Sequence, residues 1–141
     1  MTALMLESLP CEQLAARSRD GNKDAACVIG DRYRLGEAVQ QDWKKAYRWY
    51  RVGARLGSTD AQNNLGTVLL HGLGCRKDKR AAVSWFRKSA EQGNVDAQWN
   101  LAKRYLHGDG VKQDFNSAHR WLALAASNGC VDAFCDLGTM Y

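Results

Sequence analysis

Residues 96–130 read DAQWNLAKRYLHGDGVKQDFNSAHRWLALAASNGC. Ala97, Leu101 and Tyr105 in this stretch recur at i, i+4 and i+8, the spacing of one apolar stripe along an α-helix. The turn Gly108–Gly110 follows, and glycine readily takes the positive φ that ends a helix. The remainder carries a second run of apolar residues at helical spacing. The stretch therefore predicts two helices joined by a glycine-rich turn.

The same pattern returns every 36 residues along the chain. The dipeptide Asp-Ala begins at positions 24, 60, 96 and 132. Further columns of this period contain Trp49, Trp85 and Trp121; Asp42, Asp78 and Asp114; Gly36, Gly72 and Gly108; and Gly21, Gly57, Gly93 and Gly129. The aspartates are placed to cap the second helices, and the tryptophans are expected in the core that joins adjacent units. Because one helical pair cannot bury its own apolar stripe, the pairs are predicted to stack into a solenoid.

These columns divide the chain into units of one domain, residues 1–141. A half repeat at about 9–23 precedes full repeats at 24–59, 60–95 and 96–131, and a half repeat follows at 132–141. About eight helices are expected. In the first unit Ala38 stands where Gly74 and Gly110 stand in the others, so we expect a different helix-to-helix turn there.

The pattern resembles the Sel-one-like repeat (SLR) family, which is related to the tetratricopeptide repeats. The third unit carries most of the family pattern through Ala97, Leu101, Tyr105, Gly108, Gly110, Val111, Asp114, Ala118, Trp121, Ala125, Ala126 and Gly129. The resemblance implies an all-α, right-handed α/α superhelical solenoid that serves as a protein–protein interaction scaffold or adaptor. It also implies that the first helix of each repeat faces a concave surface. A cysteine-rich branch of the family has two bridged cysteines in each repeat, and this chain lacks that pattern.

One face of the first helices is the candidate partner-binding surface. In a helical projection Trp99, Lys103, Leu106 and His107 point away from the apolar stripe. The whole candidate strip consists of Asn63, Asn64, Thr67, His71, Trp99, Asn100, Lys103, Leu106 and His107. An exposed tryptophan with a polar surround suits a binding anchor for a protein or peptide. The alternative is structural, with Leu70 and Leu106 packed against the neighbouring repeat and Trp99 against a loop.

The charge pattern suggests a second function. The net charge is +5 and the excess lies mainly on second helices, as in Lys44, Lys45, Arg48, Arg80 and Arg87. A solvated outer face is the ordinary explanation of such a pattern, and a binding site for nucleic acid or an acidic partner is the alternative. The excess is too mild to favour nucleic acid from charge alone.

No catalytic, metal or cofactor site is expected. His71 and Cys75 lie four residues apart, but glycines interrupt the helix between them and further metal ligands are missing. Five unpaired cysteines, the absence of a secretory signal and the absence of a long apolar run together favour the cytoplasm over a membrane or secreted location. Because the repeat pattern stops at Tyr141 in mid-unit, the C-terminal half repeat either offers a face for homo-oligomerisation or belongs to a longer chain.

Overall fold

A computed structural model describes residues 3–140, and within them the regular structure is entirely helical. The helices in chain order are α1 (Ala3–Glu7), α2 (Cys11–Arg19), α3 (Lys23–Leu35), α4 (Trp43–Arg55), α5 (Thr59–His71), α6 (Lys79–Glu91), α7 (Val95–His107), α8 (Phe115–Ser127) and α9 (Val131–Met140). The short α1 was not expected from the repeat pattern, which predicted about eight helices.

The helices pack in the order in which they occur along the chain. Within each full repeat the first helix packs against the second, giving the pairs α3–α4, α5–α6 and α7–α8. Each second helix also contacts the first helix of the following repeat, and α2 and α9 extend the stack at its two ends. The predicted all-α solenoid of stacked helical pairs is thereby confirmed.

Capping residues fix where each helix begins. The second helices start after Asp42, Asp78 and Asp114, whose carboxylates accept hydrogen bonds from backbone N–H groups of the first turn. The first helices α3, α5 and α7 start after Asn22, Ser58 and Asn94, whose side chains serve the same purpose. Such caps satisfy N–H groups that have no partner inside the helix, which typically contributes about 1 kcal/mol each.

The turn of the first repeat was expected to differ, and this expectation is wrong. Ala38 has a φ of 62°, close to the 71° and 81° of Gly74 and Gly110, so the backbone follows the same path. The difference lies in the surroundings. A Cβ on Gly74 would collide with the backbone of Trp43, and one on Gly110 would lie 2.5 Å from the carbonyl oxygen of Lys79. Ala38 instead borders an open cleft of about 730 Å³ beside Pro10, where its methyl group fits.

Large side chains of the second helices lie directly on glycines of the first helices. A Cβ on Gly30 would lie 2.6 Å from the ring of Tyr50, and one on Gly66 would lie 2.7 Å from the ring of Phe86. Both rings are fully buried, as is Leu122 at the equivalent position of the third repeat. The absence of a Cβ lets the two helices of a pair approach closely at this point.

The tryptophan column is less buried than predicted. Trp49, Trp85 and Trp121 are half-buried and pack against the edge of the core, while the residue after each of them fills its centre. The prediction that they form the core itself therefore needs correction. The next residue points at the first helix of its own repeat, and the 100° step along a helix turns the tryptophan towards the rim.

Buried glutamines join one repeat to the next. The Nε2 atoms of Gln62 and Gln98 donate hydrogen bonds to the carbonyl oxygens of Ala54 and Ala90, at 3.2 and 3.3 Å. These carbonyls belong to the last turn of the preceding second helix, where they also accept hydrogen bonds from the backbone N–H groups of Gly57 and Gly93. The glutamines are almost fully buried, so each bond closes a repeat boundary without water.

We predict opposite effects of exchanging alanine and glycine at the two equivalent turn positions. Ala38→Gly should stabilise the fold by about 1 kcal/mol, because glycine adopts a positive φ without the cost of a Cβ. Gly74→Ala should destabilise it by at least about 2 kcal/mol, because it adds that cost and a collision with the backbone of Trp43. Urea unfolding of the two variants beside the wild type measures both. If the two exchanges changed the free energy of unfolding by the same amount in opposite directions, the collision at Gly74 would be contradicted.

A second prediction concerns Asp109, which lies between two cations. Its carboxylate oxygens lie 2.6 Å from Lys79 Nζ and 2.6 Å from Arg104 Nη1, linking the second repeat to the third. The hydrogen bond from Lys79 and the charge of Arg104 hold the pKa of Asp109 below its ordinary value.

Because the folded state lowers this pKa, the ionised carboxylate stabilises the fold above the ordinary aspartate pKa of about 3.9, and this contribution is lost as the pH falls through the folded value. Asp109→Asn should therefore cost up to about 1 kcal/mol at pH 7 and progressively less below pH of about 4. Thermal unfolding of both proteins across this range tests it. A cost that does not depend on pH would show that the charge of Asp109 is not involved.

Candidate functional site

The nine residues of the predicted strip lie on α5 and α7, and we call them the first-helix strip. His71 and His107 are exposed, while Asn63, Asn64, Thr67, Trp99, Asn100, Lys103 and Leu106 are half-buried. Leu70, which the structural alternative placed against the neighbouring repeat, is buried in the main core. The strip is thus a continuous surface of two adjacent helices, and its two most exposed side chains stand at the C-terminal ends of those helices.

A chain of hydrogen bonds crosses the strip from one first helix to the next. Asn100 Nδ2 donates to Asn63 Oδ1 at 2.9 Å, which joins α7 to α5. Asn64 Nδ2 lies 3.4 Å from Asp31 Oδ1 and joins α5 to α3. Asn63 and Asn100 are 37 residues apart, one more than the repeat length of 36, because the bond joins neighbouring columns of successive units. The polar groups of the strip therefore hold each other in place.

Trp99 is half-buried, and the prediction of an exposed tryptophan requires correction. Its Nε1 donates to Asp136 Oδ2 at 2.8 Å, so its partner is the helix α9 and not a loop. Lys103 Nζ lies 3.6 Å from the ring centroid, which is a cation–π contact. Burial, together with the charge of Arg104, lowers the pKa of Lys103. The indole is therefore fixed at one edge and covered on one side, with little freedom to reorient.

Asp31 is the polar centre at the N-terminal side of the strip. Tyr50 donates a hydrogen bond to Asp31 Oδ1 at 2.6 Å, and Arg34 Nη2 lies 3.5 Å from the same oxygen. Burial, followed by the bond to Asp31, raises the pKa of Tyr50 well above its ordinary value. The Tyr50 ring that rests on Gly30 thus also carries a hydroxyl that orders the strip.

Asp31 and Asp136 were missing from the predicted site. Asp31 lies in the same 36-residue column as Thr67 and Lys103, but nothing in one unit indicates a bond to the next. A signal did exist in the sequence for some of these links, since Cys27–Asn64, Asn63–Asn100 and Trp99–Asp136 each join residues 37 positions apart, whereas Asp31–Asn64 spans 33 positions. The pairing can be found only if neighbouring columns are compared across units.

The strip contains groups suited to binding, and two cysteine thiols lie on or next to the same helices. Burial, with the charge of Asp31, raises the pKa of the Cys27 thiol far above its ordinary value, so the thiol stays protonated. The Cys75 thiol, in the turn after α5, donates to the carbonyl oxygen of Val68 in that helix at 3.5 Å. In the described part of the chain, no three His, Cys, Asp or Glu side chains converge as metal ligands would.

Comparison with known proteins agrees with the fold. The family model for the Sel1 repeat matches residues 23–58, 59–94 and 95–130, which cover the three helical pairs. The chain belongs to the Sel1 repeat family. Sel1 repeat proteins are in general protein–protein interaction scaffolds. No curated protein matches the chain.

Three solved structures illustrate the similarity. The chain is 38% identical to c5321, a protective antigen of uropathogenic Escherichia coli with an SLR fold, with a TM-score of 0.88 over 92% of this chain and 28% of that one. A Sel1 repeat protein from Oxalobacter formigenes is 36% identical, with a TM-score of 0.83 over 86% of this chain and 49% of that one. Helicobacter pylori cysteine rich protein B shares the fold at 21% identity, with a TM-score of 0.69 over 92% and 98% of the two chains.

The chain therefore spans less than half the length of the two more similar proteins. Among the helices described, none combines the length and the apolar character that crossing a bilayer requires.

We predict that Asp136 positions the indole of Trp99. Asp136→Asn should weaken the bond to Trp99 Nε1, because a neutral amide oxygen is a poorer acceptor than a carboxylate. In a ¹H–¹⁵N spectrum the indole N–H signal of Trp99, assigned with Trp99→Phe, should move upfield, while those of Trp49 and Trp85 stay in place. An unmoved Trp99 signal would contradict the bond.

Proposed function

We propose that this Sel1 repeat chain is a non-catalytic adaptor that binds a protein or peptide along the first-helix strip, acting as a single domain over residues 1–141. The observation that carries the proposal is the chain of hydrogen bonds that joins α3, α5, α7 and α9 across the strip. Groups already fixed in their bound geometry lose little conformational entropy when a partner docks.

The composition of the strip suggests what it recognises. Asn63, Asn64 and Asn100 provide amide groups, and the imidazoles of His71 and His107 stand exposed at the edge. Trp99 and Leu106 supply partly accessible apolar surface beside them. A mixture of amides with an aromatic anchor suits an extended segment of a protein, whose main chain offers alternating donors and acceptors.

We further propose that the adaptor works in the cytoplasm and without a cofactor. Five cysteines with free thiols support a reducing compartment, since they recur in no pairs along the repeats. A non-catalytic role is supported by the side chains of Cys27 and Lys103, two groups of nucleophilic type at the strip that are taken up by the fold. The Cys27 thiol is protonated and buried, and the Lys103 amine lies against the Trp99 ring.

The basic second helices support the alternative function less well. Several of their cations are already engaged within the chain: Lys45 lies over Tyr33, Arg51 over Tyr47, Lys88 over Trp85, Lys79 beside Asp109, and Arg87 donates to the hydroxyl of Tyr105. These contacts give the cations a role within the fold, and Lys79 is paired with a carboxylate. Binding of nucleic acid or an acidic partner remains the second candidate, and one experiment separates the two.

We predict that Trp99→Ala/Lys103→Ala abolishes capture of a protein partner from native lysate, because it removes the aromatic anchor and the charge that covers it. The matched control Arg48→Ala/Arg80→Ala removes two exposed charges from α4 and α6 and should capture the same partner as the wild type. Circular dichroism establishes that both variants keep their helices. A partner lost from the arginine variant alone, or capture that nuclease abolishes and salt weakens steeply, would favour the basic second helices.

A further inference from the structure

The turn between α5 and α6 differs in charge from the equivalent turns of the other two full repeats. Arg76 and Lys77 of this turn are both exposed. The positions 36 residues before and after them hold three glutamines and one lysine, namely Gln40, Gln41, Lys112 and Gln113. Two adjacent cations at this place are therefore specific to the second repeat.

Lys77 stands where the other repeats have a glutamine that bonds to the first helix. In those repeats the glutamine Nε2 donates to a carbonyl oxygen in the last turn of that helix, at 2.8 Å from Gln41 to Arg34 and 2.8 Å from Gln113 to Leu106. The equivalent carbonyl in the second repeat belongs to Leu70, and among the described residues Lys77 makes no such bond. The second repeat thus has a cation in place of a bond that ties the turn to its helix. Departures from a local structural rule of this kind are expected at functional sites.

The two cations have a third cation beside them and no anion. A Cβ on Gly74 would lie 2.5 Å from the backbone nitrogen of Lys44, so the turn rests on the start of α4. Within the described residues no carboxylate forms an ion pair with Lys44, Arg76 or Lys77. The neighbouring carboxylate of Asp78 accepts from a backbone N–H group as the cap of α6. We call the exposed side chains of Lys44, Arg76 and Lys77 the basic patch.

The basic patch borders the first-helix strip where α5 ends. A Cβ on Gly72 would lie 3.1 Å from Cβ of Lys77, and Gly72 directly follows His71 of the strip. The opposite border of the strip has the opposite charge, because Asp60 and Asp96 are exposed in the first turns of α5 and α7. Each of these aspartates lies three residues before a member of the strip, and therefore on the same side of its helix. A segment that lies on the strip thus meets negative charge at one border and positive charge at the other.

We propose that the partner segment bound to the first-helix strip is acidic where it leaves the strip past His71, and that the basic patch binds its carboxylates. The inference rests on the proposed function, because it names the chemistry of the partner that the strip takes. Arginine and lysine bind carboxylates through charge-assisted hydrogen bonds, and the arginine fork does so with two parallel bonds. A nucleic acid is favoured less, because it presents a long row of phosphates and the positive charge here ends at the acidic border of the strip.

A structural role of Lys77 is separable from this binding role. A lysine at the C-terminal end of a helix stabilises that end through the helix dipole. Lys77→Gln restores the glutamine of the other repeats, which can bond to the carbonyl oxygen of Leu70. We expect this variant to melt at the same temperature as the wild type or higher, and to bind the acidic segment more weakly. A lower melting temperature with unchanged binding would assign Lys77 to the fold and overturn its role in the patch.

Selection from a random peptide library displayed on phage, with the 141-residue chain as bait, tests the proposal. Peptides of about 12 residues are long enough to cross three helices packed about 10 Å apart. We expect the enriched peptides to carry Asp or Glu clustered towards one end. Fluorescence anisotropy with the most enriched peptide, made synthetically, then measures its dissociation constant for each variant.

Arg76→Gln/Lys77→Gln should weaken binding of this peptide about tenfold at low salt, and by less at about 0.5 M salt, where exposed charges are screened. The matched control Arg48→Gln/Lys112→Gln also removes two exposed cations and should leave the dissociation constant within about twofold. Trp99→Ala/Lys103→Ala should abolish binding of the same peptide, because the segment also contacts the strip.

The outcomes distinguish the proposal from the function on which it rests. Peptides that need Trp99 and Lys103 but lack acidic residues, or that tolerate Arg76→Gln/Lys77→Gln, would overturn the role of the basic patch and leave the strip as the binding site. Acidic peptides that need the patch and tolerate Trp99→Ala/Lys103→Ala would contradict the strip and the continuous site alike. A library without binding peptides would contradict both. Tighter binding of a single-stranded DNA of about 12 nucleotides than of the selected peptide would assign the patch to nucleic acid.

Discussion

The contact between an aromatic ring and a helical glycine is the constraint on which the repeat geometry depends. Tyr50 on Gly30 and Phe86 on Gly66 set how closely the two helices of a pair approach, because any side chain at these glycines would overlap the ring. In the third repeat Ala102 replaces the glycine and Leu122 replaces the ring, and both are buried. The larger residue on one helix compensates for the smaller one on the other, so the total side-chain volume is similar. Volume-conserving exchanges of this kind are the ones that packed cores tolerate best.

Between repeats the fold depends on polar bonds as well as apolar contact. The amides of Gln62 and Gln98 donate to carbonyl oxygens at the end of the preceding second helix, and both glutamines are buried. Such bonds have strict geometry, and a buried side-chain amide without a hydrogen-bond partner is costly. They therefore fix the angle between successive pairs, which apolar packing alone would leave less defined. Asp109, in the turn after α7, bonds to Lys79 of the preceding repeat and to Arg104 of its own, which is a further polar link between these two repeats.

The proposed binding strip is coupled to these structural contacts. Tyr50 belongs to the core through its ring and to the strip through its hydroxyl, which donates to Asp31. Trp99 belongs to the strip, yet its N–H group is held by Asp136 on α9. The same helix α9 exposes Phe134 on its other side.

The sequence by itself determined the helices of the repeats, the repeat length and the family, because these depend on local periodicity, caps and glycines that recur every 36 residues. It also located the strip, since residues facing away from an apolar stripe can be read from helical spacing. The tertiary structure alone decided which residues touch. It showed Trp49, Trp85 and Trp121 at the rim, the bonds that cross 37 residues, and Trp99 held by Asp136. It also showed that Ala38 keeps the glycine conformation because an open cleft lies beside it. Periodicity indicates on which side of a helix a residue lies. The distances between helices depend instead on how side chains of different helices pack, and these side chains come into contact only when the helices stack.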